Sequence, residues 1–259
     1  MYKFVLLCSL VTANSALADM CFIAKENGKV VKQEGECEKR HSPFSSFKIP
    51  IALMGFDSGI LKNENSPKVD FTEETRKNFE PWYFPHKYPI QMFSARSQTP
   101  SSWMKYSVVW FSQYVTVKLG MEKFQDYVNK FEYGNKDISG DKGKNNGLMN
   151  SWIQSSIQIS PIEQVNFIEK LSNKNLPISK QAQEQTIKII KLEDVWDDWK
   201  LYGKTGGSKT NGWFIGWVEK DGRTIQFAQY LAQPADSLMS GGRVAKEIAK
   251  DNLITLMLK

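Results

Sequence analysis

Lys and Arg outnumber Asp and Glu by only 34 to 28 in 259 residues, a formal charge of +6. The basic residues are scattered and not interleaved with aromatics, so there is no nucleic-acid footprint; the excess favours solubility and some attraction of anionic substrates. Three cysteines and two histidines fall short of a structural zinc site, a His-rich catalytic zinc set or a Ser-His-Asp triad, and His41 and His86 read as surface or hydrogen-bonded residues.

The chain opens with a short basic head, an apolar run from Phe4 to Val11 and the small-residue end Ala16-Leu17-Ala18. This order reads as a secretory signal peptide over residues 1–18, cleaved after Ala18. The apolar core is too short for a permanent span and no later stretch is long enough, so the mature chain, 19–259, is expected to be exported without stable membrane insertion. Its length suits one large domain or two small ones. Cys8 leaves with the leader, so Cys21 and Cys37 remain as an even pair able to form a disulfide in an oxidising compartment. Between them, Asn27-Gly28 separates Cys21–Ala24 from Val30-Val31, the pattern of a tight hairpin that such a bridge would staple.

Ser45 and Lys48 follow, three positions apart, ahead of the apolar run Ile49–Met54. If Ser45 opens a helix here, the amine of Lys48 lies one turn from its hydroxyl, the arrangement of a nucleophile and its base. The helix N-terminus would add backbone N–H groups suited to an oxyanion. A second Ser-x-x-Lys, Ser102 to Lys105, shows that the spacing alone proves little, and a capped helix with a solvated lysine is its bland reading.

From Asn63 to Pro100 the composition turns charged, aromatic and proline-rich, an irregular excursion with short helices. A helix is expected from Ser101 to about Leu119 with Ser107 inside it, where a serine ordinarily satisfies itself on the preceding turn. Helical patterning resumes from Met121 to Phe131 and stops at Tyr133-Gly134-Asn135. The Gly- and Asn-rich loop Asp137–Gly147 precedes Trp152, and Ser160-Pro161-Ile162-Glu163 caps a helix running to Leu171. Three strands follow, Leu201–Gly207, Gly212–Val218 and Thr224–Leu231, the last two joined by Asp221-Gly222 as an antiparallel meander. Gly241 and Gly242 close a loop before a final helix with Val244, Ile248 and Leu256 on its apolar side.

Taken in order, Ser45-x-x-Lys48, Ser107-x-Val109, Tyr133-Gly134-Asn135 and Lys204-Thr205-Gly206 resemble the motifs of the class D serine β-lactamases, the oxacillinases. The likeness runs from about Cys21 to the C-terminus and includes Gly140–Lys142 and Asn211–Phe214. It implies an α/β fold of the α+β type, like the serine β-lactamases and transpeptidases: an antiparallel sheet flanked by the first and last helices, with a mainly helical lobe from about Lys62 to Pro177.

The resemblance implies hydrolysis of β-lactam antibiotics in the periplasm, conferring resistance, with Ser45 as nucleophile and Lys48, carboxylated by CO₂ or bicarbonate, as general base. No metal or other cofactor is implied. A free lysine titrates at about 10.4 and must be neutral to take up CO₂; burial among Phe47, Val109 and Trp152 promotes this, and the Trp152 indole would donate to the carbamate. Ser107 would relay a proton, the N–H groups of Ser45 and Gly207 would form the oxyanion hole, and Lys204, Thr205, Gly206 and Arg243 would bind substrate. Ser46 replaces the threonine commonest in its slot. Two alternatives stand beside this reading, a penicillin sensor or penicillin-binding domain that acylates but barely deacylates, and a peptidoglycan transpeptidase. The substrate spectrum and the choice between monomer and homodimer are left open.

Overall fold

A computed structural model describes residues 19–78 and 96–259. The expected signal peptide, His86, and Pro81, Pro85 and Pro89 of the excursion lie outside the described residues.

The first hairpin forms as the Asn-Gly signal requires. Strands β1 (Met20–Glu26) and β2 (Lys29–Gly35) meet at Asn27 and Gly28, whose φ values of 50° and 77° are those of a primed turn. Cys21 and Cys37 are joined by a disulfide that ties β1 to the chain leaving β2. That chain runs through His41, stacked on Tyr230, into a 3₁₀ turn at Phe44–Phe47 and then helix α1 (Lys48–Asp57).

α1 is buried along nearly its whole length, from Lys48 to Phe56. Its apolar run has no polar stripe to turn outward, which places it at the centre of the helical lobe. Pro50 sits in the first turn, where its missing N–H has no intrahelical partner to lose. The chain continues through α2 (Glu73–Asn78), α3 (Pro100–Tyr106), α4 (Val109–Leu119), α5 (Met121–Lys130) and the short α6 (Gly147–Asn150), of which α4 and α5 pack on α1. They are followed by α7 (Pro161–Ser172) and α8 (Lys180–Ile189). The capping box expected at Ser160 and Glu163 opens α7. α8 was not anticipated; it packs on α1, so the lobe extends past Pro177 to Ile189.

The sheet is completed by β3 (Lys191–Val195), β4 (Trp199–Gly207), β5 (Asn211–Lys220) and β6 (Arg223–Ala232), in the order β2-β1-β6-β5-β4-β3 with every pair antiparallel. Alternation along β5 sends Trp213, Ile215 and Trp217 to one core and Phe214 and Val218 to the other. The first core is shared with α7 and the helical lobe; the second lies under the final helix α9 (Gly241–Met257). Gly241 and Gly242 belong to that helix and do not precede it. A Cβ on Gly241 would come within 2.2 Å of Asn211 O, so the helix start and β5 touch backbone to backbone. The buried stripe of α9 is Ala245, Ala249, Leu253 and Leu256, with Val244 and Ile248 on its margin. Among the described residues no helix is long and apolar enough to cross a membrane.

Candidate active site

The turn Pro43–Lys48 is held from three sides. From the lobe, Phe44 N–H and Ser42 Oγ–H donate to Trp152 O at 2.9 and 3.0 Å. From the sheet, the Trp213 indole donates to Ser42 O at 2.9 Å. Strand β4 abuts the turn directly: a Cβ on Gly206 would lie 2.6 Å from Pro43 O and 2.7 Å from Ser46 N, so only glycine allows this approach. From α7, Gln164 Nε2 donates to Ser46 Oγ at 3.1 Å, Ser46 Oγ–H donates to Pro43 O at 2.7 Å, and Tyr133 Oη–H donates to Gln164 Oε1 at 3.3 Å. Ser46, Gln164 and Tyr133 are all buried, which makes this a satisfied polar chain inside an apolar core.

Ser45 lies in the 3₁₀ turn, and the α-helix proper begins at Lys48. Because helical side chains lean toward the N-terminus, Lys48 reaches back, and its Nζ stands 3.0 Å from Ser45 Oγ. Lys48 is fully buried, and burial holds its amine well below the ordinary lysine range, with repulsion from Lys204 adding to the shift. Lys204, on β4, is itself buried and is pushed down to about 7 by burial and then by Lys246; its Nζ donates to Thr205 O at 3.0 Å. The site thus has two amines, one bonded to the serine and one on the facing strand.

Ser107 is not inside a helix. α3 ends there, and Ser107 takes a left-handed conformation (φ 57°, ψ 38°) before α4 starts at Val109. Such a backbone is unfavourable for a non-glycine residue by roughly 1–3 kcal/mol and is tolerated only where its surroundings enforce it. Here the Trp103 indole donates to Ser112 Oγ at 2.9 Å, and Ser112 Oγ–H donates to Val108 O at 3.4 Å, pinning the break. The break removes the back-bonding expected of a mid-helix serine. The second Ser-x-x-Lys is resolved differently: Ser102 closes the capping box of α3 with Thr99.

Trp152 is buried and stacks on Phe47, with ring centroids 5.7 Å apart, which places it against the residue preceding Lys48. Tyr133-Gly134-Asn135 forms a turn whose Asn135 Nδ2 donates to Ser156 O at 2.8 Å and whose Oδ1 accepts from Gln158 N at 3.0 Å.

Because β3 pairs only with the lower half of β4, from Trp199 to Tyr202, the upper edge of β4 is open. A cleft of about 880 Å³ runs along that edge, lined by Lys204, Thr205 and, from the first turn of α9, the exposed Arg243. Ser45 is not among the lining residues; it stands one strand residue further on, at Gly206. Gly207, with φ 146°, follows at the end of β4.

Sequence reasoning missed Gln164. It was detectable as the one glutamine on the buried stripe Pro161, Gln164, Val165, Ile168 and Leu171 of a helix already located by its cap.

The chain matches the penicillin binding protein transpeptidase domain over residues 20–253. It is 40% identical over 247 residues to β-lactamase OXA-9 of Klebsiella pneumoniae, spanning 89% of this chain and 84% of that one. It is 38% identical over 249 residues to β-lactamase OXA-1 of Escherichia coli, spanning 92% and 85%. The crystal structure of the OXA-427 class D β-lactamase superposes with a TM-score of 0.82 at 35% identity, covering 92% of this chain and 98% of that one.

Proposed function

Since the chain belongs to the penicillin binding protein transpeptidase family and, within it, to the class D β-lactamases, we propose that it opens the ring of β-lactam antibiotics through a serine acyl-enzyme and so confers resistance. The observation that carries this reading is the buried Lys48 amine, 3.0 Å from Ser45 Oγ. A neutral amine at that distance can take the hydroxyl proton as Ser45 attacks the lactam carbonyl. The backbone N–H groups of Ser45 and Gly207 receive the developing oxyanion. Ser107 passes a proton to the lactam nitrogen as the C–N bond breaks, and Lys204, Thr205, Gly206 and Arg243 hold the substrate carboxylate. Lys48 then takes a proton from water, which releases the acyl group and restores Ser45.

Carboxylation of Lys48 by CO₂ fits the residues present. Burial drives the amine neutral, as reaction with CO₂ requires, and Trp152 is buried against Phe47, the residue before Lys48, while Val109 opens the helix that packs on α1. When formed, the carbamate supplies an anionic oxygen base in place of the amine. The leader 1–18 sends the enzyme to the periplasm, and residues 19–259 form one catalytic domain.

The test is turnover of a chromogenic β-lactam by the purified mature chain, with and without added bicarbonate. Sustained hydrolysis that rises with bicarbonate supports the proposal. A single burst stoichiometric with protein and indifferent to bicarbonate would identify a penicillin sensor or binding domain instead.

A further inference from the structure

The cleft along β4 continues well past the residues assigned to the substrate carboxylate. Beyond Lys204 it passes Gly203 and reaches the start of β3 and the C-terminal end of α3, so that Lys105, Lys188, Lys191 and Lys246 join Lys204 and Arg243 on its walls. Two of these cations are compensated: Lys188 pairs with Glu64 at 2.5 Å and Lys246 with Glu193 at 2.7 Å. The other two are less so: Lys191 makes only a long, exposed pair with Asp194 at 4.0 Å, and Lys105 lies 5.6 Å from the Tyr106 ring with no carboxylate partner among the described residues. Lys105 is the lysine of the second Ser-x-x-Lys, freed for the cleft because Ser102 is spent on the helix cap.

The walls carry six cations against the two carboxylates of Glu193 and Glu247, and such an excess on a concave surface favours an anion. Lys204 is pushed down first by burial and then by its neighbour Lys246. Apolar Met104, Ile189 and Leu192 stand among these lysines, so the extension offers an amphipathic wall as well as charge.

The geometry points to a second anion subsite, built by Lys105 and Lys191, for β-lactams that carry a further negative group on the carboxylate-bearing ring. The inference rests on the hydrolase reading above. Orientation follows from the strand: Ser45 abuts Gly206, the ring carboxylate is assigned to Lys204 and Thr205, and the extension lies on the far side of Lys204, toward Gly203. A substituent next to the ring carboxylate is the part of the substrate aimed at it, whereas the acylamino side chain leaves toward Gly207.

The experiment uses two cephalosporins with the same acylamino group, one bearing a neutral and one an anionic substituent at the ring carbon adjacent to the carboxylate. KM and kcat are measured at low ionic strength for the mature enzyme and for Lys105→Gln/Lys191→Gln. Two exposed cations acting on one anion should favour the anionic compound by about fivefold in kcat/KM, through KM. The double variant should bring that ratio close to one, and added salt should do the same to the wild type. A wild-type ratio already near one, or a ratio that survives in the double variant, overturns the subsite while leaving hydrolysis intact. Failure of the wild type to turn over either compound overturns the hydrolase reading and the subsite with it.

Discussion

Lys48 Nζ lies 3.0 Å from Ser45 Oγ, and no solvent reaches the lysine. A charged ammonium in that position would be poorly solvated, and the low-lying titration of Lys48 follows from this burial first and from Lys204 second. Replacing Lys48 with Ala removes the amine in contact with the proposed nucleophile. Turnover should fall by about 10²–10⁴-fold, the usual worth of a positioned general base, and bicarbonate should no longer stimulate it. Mass spectrometry after brief exposure to substrate would show whether slow acylation of Ser45 persists.

Trp152→Phe retains the stack on Phe47 but deletes the indole N–H. The variant should need more bicarbonate than the wild type to reach full activity. Incorporation of ¹³C-labelled bicarbonate into the protein, followed by NMR, should weaken at matched concentration. Equal incorporation in both proteins would remove Trp152 from the account of carbamate binding.

Lys204 titrates at about 7 in the fold against 10.5 for a free lysine. Between those values the unfolded chain binds a proton at this residue that the folded chain does not, so its contribution to stability rises with pH across that window and is flat below it. In the proposed site its ammonium is the form that would hold an anionic substrate, so KM should increase as pH passes upward through about 7. Lys204→Arg keeps the charge and should flatten that limb. A KM profile identical in both proteins would show that Lys204 is not the titrating group.

Gln164 bridges Ser46 and Tyr133, and no water can replace it in a buried chain without room being made. Gln164→Met preserves volume while leaving Tyr133 Oη without its acceptor and Ser46 Oγ without its donor. Stability should drop by about 1–3 kcal/mol by chemical denaturation. Single-turnover acylation should slow, while substrate KM changes little, because the damage falls on the nucleophile turn and not on the carboxylate site; Gln164→Glu, which keeps an acceptor for Tyr133, should recover part of the rate. Unchanged acylation would mean that β4 and Trp152 alone fix the turn.

Cys21 and Cys37 close a loop of 16 residues. Loop-closure entropy for that length corresponds to about 3 kcal/mol, so Cys21→Ala/Cys37→Ala should unfold at markedly lower denaturant. Reducing agent should have a comparable effect on the wild type and none on the variant.

Much of the fold and part of the site were readable from local sequence because the determining physics is local. Asn27-Gly28 and Asp221-Gly222 set their hairpins through positive φ, Ser160-Pro161 and Glu163 satisfied the first N–H groups of α7, and the unbroken apolar run after Lys48 admitted only a buried helix. The spacing of side chains near a helix start allows the pairing of Ser45 with Lys48, although the same spacing at Ser102 and Lys105 gives a helix cap instead. Where the reading failed, the deciding contacts were side-chain bonds that apolar patterning does not signal, or packing between elements distant in sequence. The stretch from Ser101 to Leu119 has helical character throughout, and it breaks at Ser107 because Trp103, Ser112 and Val108 O close around the break, not because of any proline or glycine. β3 carries little alternation and is held by β4, whereas α8 has a helical stripe at Ala182, Thr186 and Ile189 that the reading passed over, and it packs on α1, which the sequence does not place beside it.

The sequence by itself therefore determined the order of the motifs, the hairpins and the burial of the nucleophile helix, since turn geometry and apolar patterning act over a few residues. Only the tertiary structure decided the depth of the Lys48 amine, the approach of Gly206 to the turn, the Gln164 bridge and the cationic cleft. Each of those depends on strands and helices brought together from opposite ends of the chain, where burial and mutual charge first come into being.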